Sequence, residues 1–496
     1  MKSQTNALLI RADASTAMGT GHIMRMLALA QAWIDRGGLV SFACVVCPEI
    51  LLARFADEGI RYFKISAAQA GDSADHQETT AIAQEIGANW VVLDGYHFDV
   101  TFQRYLRHAG LKVLAVDDYG HSESWAVDAI LNQNLYASEV TYNTEVDHCK
   151  LLLGTKFALL RREFTRRKRP LQNTGVPLRK LLVTLGGGDP DNATGKILQL
   201  LEETGNSNLE IRVLVGGANP HRDELMRFAN RSSLHIEILT DVRDMPGLYE
   251  WTDGVISAGG STCWEWLYYG LPAAVVVIAD NQSRVAKTLA EKGVAIDLGW
   301  HRNLQLENGS NRLNEWLHLG YSGTANLEKD QLVDGLGAQR VAAFLDNRIW
   351  LRPATAEDIE QYFEWVNDRE VRQNAIREDD ISWEEHCSWF CEHLRSDNSR
   401  LLVAMHEDTP VGQVRFDKTS FGVWEIDFSL ANAARGKGLG PEMLHLAIKQ
   451  LRIKGSVKLS AVVKANNTAS RKCFDKLGFA AEPTNDRGLI HFALEV

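Results

Sequence analysis

The residues best suited to chemistry near the start of the chain are a histidine, two arginines and several carboxylates at the ends of apolar runs. Arg11-Ala12-Asp13 closes the first run, and Gly19-Thr20-Gly21-His22 follows it, with Arg25 three residues further on. In a parallel sheet, ligands bind beyond the carboxyl ends of the strands. This spacing puts His22 at such an end, on the N-terminus of a helix, whose positive end favours the neutral imidazole that a general base needs. Arg25 shares its helix face and can meet a phosphate or a carboxylate. The plainer alternative is a capping histidine beside a surface arginine. Two further runs end in the same chemistry: Trp90–Leu93 in Asp94-Gly95-Tyr96-His97, and Lys112–Val116 in Asp117-Asp118-Tyr119. A single acid at a strand end is commonly a turn or cap residue; three polar strand ends on one sheet edge point to a site.

A second series repeats the pattern with glycines. Gly186-Gly187-Gly188-Asp189-Pro190 follows one apolar run, and Gly259-Gly260-Ser261-Thr262-Cys263-Trp264-Glu265 follows another. Bare amides in such turns bind diphosphate. Glu265 can accept the two hydroxyls of a ribose, or it can complete a capping box with Thr262; spacing alone leaves both open. Asn281, in Asp280-Asn281-Gln282, follows the next run and is a ligand contact or a turn residue.

Near the C-terminus, Trp424–Leu430 alternates as a strand and leads into Arg435-Gly436-Lys437-Gly438-Leu439-Gly440 and an amphipathic helix. Small residues at Gly436, Gly438 and Gly440 let backbone amides close on a pyrophosphate, and Arg435 and Lys437 add charge. A second segment follows about 30 residues later, carrying Asn467, Ser470 and Leu477-Gly478-Phe479. Glu425 stands on the strand before the loop, either to relay a proton or as an ordinary surface acid.

These residues need elements to hold them. Ala7–Ile10, Val40–Val46, Trp90–Leu93, Lys112–Val116 and Ala129–Leu131 read as strands, and Ile23, Met26, Leu27, Ala30 and Ile34 form a helical stripe that closes at Gly37-Gly38. Lys180–Leu185, Ile211–Val215, His235–Leu239, Gly254–Ser257 and Ala273–Ile278 form a second strand series. Two βα series in tandem predict an α/β chain of two Rossmann-like lobes. The basic stretch Arg161–Lys168, with the polar residues up to Pro177, reads as the linker between them. Antiparallel strands from Ile349 onward predict a separate α+β domain. The expected units are 1–165, 166–345 and 346–496.

Composition narrows the partners. Of 496 residues 45% are hydrophobic, enough for sizeable cores, and the net charge of -11 argues against coating nucleic acid or an anionic membrane. Seven sparse cysteines argue against a disulfide framework, and Cys44-Val-Val-Cys47, the one CxxC, reads as buried thiols. The N-terminus carries no long apolar stretch, and the apolar run Ala273–Ala279 falls far short of the ~20 residues of a membrane span. A cytoplasmic protein with no membrane insertion and no metal-ligand cluster is expected, its oligomeric state open.

The lobes resemble the GT-B nucleotide-sugar fold. The chain up to about residue 340 resembles the UDP-sugar hydrolases of pseudaminic acid biosynthesis, through Arg11-Ala12-Asp13-Ala14-Ser15, Gly19-x-Gly21-His22-x-x-Arg25, Asp94-x-Tyr96, Asp117-Asp118, Ser257-Ala258-Gly259-Gly260-Ser261-Thr262-x-x-Glu265 and Asn281-Gln282. That resemblance implies release of UDP from UDP-2,4-diacetamido-2,4,6-trideoxy-β-L-altropyranose by water. His22 is then the catalytic histidine, Asp13 and Tyr96 lie near the sugar, Glu265 and Asn281 hold the UDP portion, and Gly259-Gly260 meets the diphosphate. The related lipid II-forming N-acetylglucosaminyltransferases share a glycine-rich turn ending in His, but there Pro follows closely, where this chain has Ile23-Met24-Arg25.

Residues 349–496 resemble the GNAT acyltransferases, through Arg435-Gly436-x-Gly438-x-Gly440, Asn467-x-x-Ser470 and Leu477-Gly478-Phe479. This implies acetyl-CoA as co-substrate and, in the same pathway, a UDP-activated 4-amino sugar as acceptor; a peptide or protein acceptor is the alternative. Two positions depart from the pattern. Ala433 begins the motif where Gln or Arg is usual, and Phe474 replaces the tyrosine that commonly protonates the leaving thiolate.

Overall fold

The computed structural model describes residues 6–15, 18–167, 177–216, 219–319, 332–452, 456–482 and 488–496. Part of the expected inter-lobe linker lies outside these residues. The chain divides into two compact units, Met1–Ala342 and Ala343–Val496.

The first unit holds two sheets. Strands β1 (Ala7–Ala12), β2 (Leu39–Cys44), β3 (Arg61–Lys64), β4 (Ala88–Asp94), β5 (Lys112–Val116), β6 (Ala129–Asn132) and β7 (Lys150–Leu153) assemble in the order β3-β2-β1-β4-β5-β6-β7, all parallel. Strands β8 (Lys180–Thr184), β9 (Glu210–Val215), β10 (His235–Thr240), β11 (Gly254–Ala258), β12 (Ala273–Val277) and β13 (Ile296–Trp300) form the second sheet, β10-β9-β8-β11-β12-β13, also parallel. Both are doubly wound Rossmann-type sheets whose order reverses between the first and fourth strands.

The central strands form because parallel sheets are covered on both faces, so unbroken apolar runs are stable there. All six residues of β1 and all five of β12 are buried. The strands that sequence periodicity missed, β3, β7 and β13, are edge strands with mixed exposure, and their side chains follow no single pattern. Helix Gly21–Asp35 packs its apolar stripe under β1 and ends in a Schellman turn, with Gly37 N bonded to Ile34 O and Gly38 N to Trp33 O.

The second unit is an α+β domain. Strands β14 (Trp350–Pro353), β15 (Ser399–His406), β16 (Thr409–Lys418), β17 (Trp424–Leu430), β18 (Lys458–Lys464), β19 (Ala480–Glu482) and β20 (Leu489–Glu495) form one sheet, β14-β15-β16-β17-β18-β20-β19. All pairs are antiparallel except β17 with β18. That parallel pair is joined at only two positions, Trp424 with Leu459 and Glu425 with Ser460, so the strands part beyond Glu425.

Candidate active sites

The reversal of strand order in the first sheet opens a crevice beyond the carboxyl ends of β1 and β4. Helix Gly21–Asp35 begins above it, and Asp94 ends β4 opposite Ala12 of β1. His22 Nδ1 lies 2.6 Å from Asp94 Oδ1. Arg25 grips the same carboxylate, with Nε 2.7 Å from Oδ2 and Nη2 2.6 Å from Oδ1. Its Nη1 reaches both oxygens of Asp118, at 2.9 and 3.0 Å. Tyr96 donates its hydroxyl to Asp118 Oδ2 at 2.6 Å, and Asn281, from the second sheet's side, donates to Tyr96 Oη at 3.0 Å. The rings of His22 and Tyr96 meet edge to face at 5.5 Å.

The electrostatics follow from this packing. Burial opposes charge on Asp94, but Arg25 and His22 outweigh it and hold the carboxyl well below the usual carboxylate range. Burial also opposes charge on Arg25, and Asp118 and Asp94 overcome it. Burial, and then the charge of Asp118, drive the Tyr96 hydroxyl far above its ordinary value, so it stays a neutral phenol. With Nδ1 engaged by a carboxylate, Nε2 is the nitrogen His22 has left for a ligand.

The second lobe brings its glycine turns to the same place. Gly186–Gly188 follows β8 and Gly259-Gly260 follows β11, the two strands flanking that sheet's own reversal. A β-carbon on Gly187 would stand 3.4 Å from Thr20 Oγ1, and one on Gly21 3.9 Å from Ser261 Oγ, so these turns face the start of the His22 helix. At Gly259 a β-carbon would meet the Gln282 carbonyl at 2.9 Å, whereas Gly260 borders open space. Glu265 accepts from Tyr249 Oη at 3.0 Å and lies 3.3 Å from Arg161 Nη2. Burial raises its carboxyl, and Arg161 and Tyr249 draw it only part of the way back. The capping-box alternative is not formed: Ser261, not Thr262, precedes the first helical residue, and it makes no side-chain cap bond.

Three expectations change. Arg25 does not face an incoming ligand. It is 7% exposed and its guanidinium is taken up by Asp94 and Asp118, which balance a charge that burial alone would forbid. Asp13, expected near the sugar, is 2% exposed. Its Oδ1 accepts the amides of Val45 and Val46 at 2.7 and 2.9 Å, and its Oδ2 accepts Arg11 at 2.7 Å. Burial opposes its charge, but His97, Arg11 and the amides lower the carboxyl to about 2, so Asp13 clamps the turn after β2. Cys44, buried at the end of β2, and Cys47, half-buried in that turn, are both free thiols. Arg161, read as part of a linker, is buried between Glu163 at 2.7 Å and Glu265, with its guanidinium over the Phe164 ring.

In the second unit, the parting of β17 and β18 opens a cleft of about 650 Å³. Glu425, Gly436, Gly438, Gly440, Asn467 and Ser470 all line it. Gly436 and Gly438 have φ of +74° and +78°, and a β-carbon on either would find no atom within 4 Å, which keeps the loop's backbone bare toward the cleft. Helix Leu439–Arg452 starts directly after them. Asn467 caps helix Thr468–Lys476, its Oδ1 accepting Ser470 N at 3.1 Å and its Nδ2 donating to Ser470 Oγ at 3.0 Å. Glu425 is exposed on β17.

Arg435 also departs from expectation. Its Nη2 pairs with Asp368 at 2.6 Å, its Nη1 with Glu370 at 3.0 Å, and its Nε donates to the Leu430 carbonyl at 3.1 Å. The residue pins the loop to the start of helix Arg369–Asn374, and Lys437, exposed and without an ion pair among the described residues, is the loop's available cation. Phe474 is buried against Phe428, Phe479 and Phe492, which explains why an apolar ring stands there.

Residues 186–316 match the glycosyltransferase family 28 C-terminal domain, and residues 348–480 match the acetyltransferase (GNAT) domain. The chain therefore joins a unit of two Rossmann-type lobes, the second of which matches the glycosyltransferase family 28 C-terminal domain, to a region that matches the acetyltransferase (GNAT) domain. An uncharacterized protein of Methanocaldococcus jannaschii is 25% identical over 95% of this chain and 96% of its own length, so the joined arrangement extends along that relative as well. The UDP-2,4-diacetamido-2,4,6-trideoxy-beta-L-altropyranose hydrolase of Campylobacter jejuni is 26% identical over 58% of this chain and 98% of its own length. The crystal structure of MurG from Acinetobacter baumannii covers 69% of this chain and 99% of its own, at 14% identity and a TM-score of 0.48. Among the described residues no helix is long and apolar enough to cross a membrane.

Proposed function

We propose that the first unit hydrolyses UDP-2,4-diacetamido-2,4,6-trideoxy-β-L-altropyranose to the free sugar and UDP. On this reading the second unit acetylates the 4-amino group of the preceding UDP-amino sugar, with acetyl-CoA as donor. The observation that carries the first half is the His22–Asp94 pair, set at a sheet reversal and facing the glycine turns of the opposite lobe. The similarity to the Campylobacter jejuni hydrolase over nearly its whole length supports the same reading. Both co-substrates belong to the cytoplasm.

In the hydrolysis, His22 Nε2 takes a proton from water as the water oxygen bonds to the anomeric carbon. The carbon–oxygen bond to the diphosphate breaks, and UDP leaves with its electron pair. Asp94 holds the ring and supports the charge that forms on it. Amides of the Gly259-Gly260 turn face the departing diphosphate, and Glu265, steadied by Arg161 and Tyr249, meets the ribose. Tyr96, its hydroxyl proton committed to Asp118, borders the sugar, and Asn281 meets the UDP portion.

In the acetyl transfer, the bare Gly436–Gly438 loop and the helix start suit a pyrophosphate, and Lys437 adds charge. Bound acetyl-CoA supplies the activated acyl group. Glu425, exposed in the same cleft, accepts the proton that the acceptor amine gives up. Phe474 donates no proton, so the thiolate is protonated by Cys473, Ser470 or water, or departs unprotonated.

The test is incubation of the full chain with acetyl-CoA and the 4-amino UDP-sugar, following CoA and UDP together. CoA release followed by UDP release is the expected result. CoA without UDP, with sugar transfer once an acceptor is added, would turn the first unit into a glycosyltransferase. Neither product would end the pathway reading.

A further inference from the structure

We infer that Asp118 is a positioning residue through which Asn281, on the opposite lobe, sets the catalytic His22; the inference rests on the hydrolase reading above. Six side chains form one unbroken line: Asn281 to Tyr96 at 3.0 Å, Tyr96 to Asp118 at 2.6 Å, Asp118 to Arg25 at 2.9 Å, Arg25 to Asp94 at 2.6 Å, and Asp94 to His22 at 2.6 Å. The line begins beyond β12 of the second lobe and ends on the first helix of the first lobe.

Asp118 is the junction of this line and is not itself a base for water. Its carboxylate receives Arg25, Tyr96 and Asn134, and its carbonyl receives Asn134 and Tyr136, both at 3.0 Å. Little of either oxygen is left for a substrate. The Tyr96 hydroxyl has one proton, and it points at Asp118; its lone pair takes the Asn281 amide. Contact by Asn281 therefore strengthens the donation to Asp118, because a phenol that accepts a hydrogen bond is a better donor. Arg25 in turn divides its charge between Asp118 and Asp94, so what Asp118 receives from Tyr96 governs how tightly Arg25 holds the carboxylate that orients His22. Asn281 thus fixes one end of the line and His22 stands at the other.

The experiment uses the full chain, the diacetamido UDP-sugar and UDP, with Asp118→Asn, Tyr96→Phe and each combined with His22→Ala. Asp118→Asn should lower kcat about 10- to 100-fold with KM within about twofold. It should add no further loss to the residual rate of the His22→Ala variant, since residues that act as one unit are not additive. Losses that multiply in the His22→Ala background, or that fall on KM alone, would overturn the inference. A second readout is independent of turnover: ring resonances of selectively labelled histidine with UDP bound, the His22 signal identified by its loss in His22→Ala. Both Asp118→Asn and Tyr96→Phe should move that signal, and Asp118→Glu should bring it part of the way back. If the wild type releases no UDP yet the signal moves in both variants, the hydrolase reading falls and the positioning role stands. If UDP is released and the signal stays in place, the positioning role falls and the hydrolase reading stands. Should Asp118→Asn not fold, Tyr96→Phe, which removes one hydroxyl, carries both measurements.

Discussion

The Nδ1 atom of His22 lies 2.6 Å from Oδ1 of Asp94, although 72 residues separate them in the chain. The contact exists because β1 and β4 are neighbours in the sheet and both end at the same edge. Replacing Asp94 by Asn keeps the shape and removes the charge that holds the ring. UDP release should fall by roughly 100-fold in kcat. His22→Ala should cut release by about 1,000-fold, to a small residual rate, while UDP affinity, measured calorimetrically, stays within about threefold, because no part of the proposed UDP cradle is touched.

The carboxylates of this lobe also set its acid limit. Asp94 is held below the ordinary range, and Asp13 is lowered to about 2, so both bind protons less readily folded than unfolded. The unfolded chain takes up protons first as pH falls through ~3.9. The stability these groups contribute is therefore full above the unfolded value and is lost as pH drops through the folded ones. Urea midpoints for the first unit should be level from about pH 7 to about pH 5 and fall steeply between about pH 4 and pH 2. In Asp13→Asn the midpoint should be lower at neutral pH and its acid slope shallower.

Gly438 has φ +78° and borders open cleft. Gly438→Trp adds a strained backbone, on the order of 1–2 kcal/mol, and fills the space beside the loop. Acetyl-CoA binding should be lost in a direct titration, with hydrolysis of the diacetamido UDP-sugar unchanged. Loss of both activities would mean that the two units do not work independently.

Arg435 and Lys437 sit two residues apart on one loop and should behave differently. Arg435→Ala leaves Asp368 and Glu370 without this partner and should cost the second unit about 1–2 kcal/mol of stability after allowing for partial exposure, read as a lowered thermal midpoint. Lys437→Ala should leave that midpoint in place and raise KM for acetyl-CoA several-fold. Equal effects on KM and stability at both positions would erase the distinction.

Sequence reading reached the central strands and both glycine-loop sites because each leaves a local mark: an unbroken apolar run, or glycines at a strand end. β1, β5 and β17 are found where periodicity puts them. Edge strands β3, β7 and β13 were illegible because their exposure is mixed. Residue type marked Arg25, Asp13 and Arg435 as reactive, but type does not reveal partners. Their partners, Asp94 and Asp118, the amides after β2, and Asp368, lie from 32 to 93 residues away. Arg161 was hidden for the same reason, a basic residue in a basic stretch whose burial depends on Glu265, far along the chain. Asp94 and Asp118 could be suspected, since both follow apolar runs, but only the sheet order shows that they share one arginine.

The strand order has a consequence for synthesis. β1 is made before the other strands of its sheet, yet it lies in the middle of that sheet, between β2 and β4. Its partner β4 ends at Asp94, so β1 leaves the ribosome long before that side of it can be covered. At about 5–20 residues per second, this wait is on the order of ten seconds. Throughout it the run Ala7–Ala12, apolar save for Arg11, is exposed along the edge that β4 will fill. The second lobe repeats the delay, since β8 waits for β11. A nascent chain of this layout gives chaperones two successive windows for engagement, and slowing its translation lengthens both.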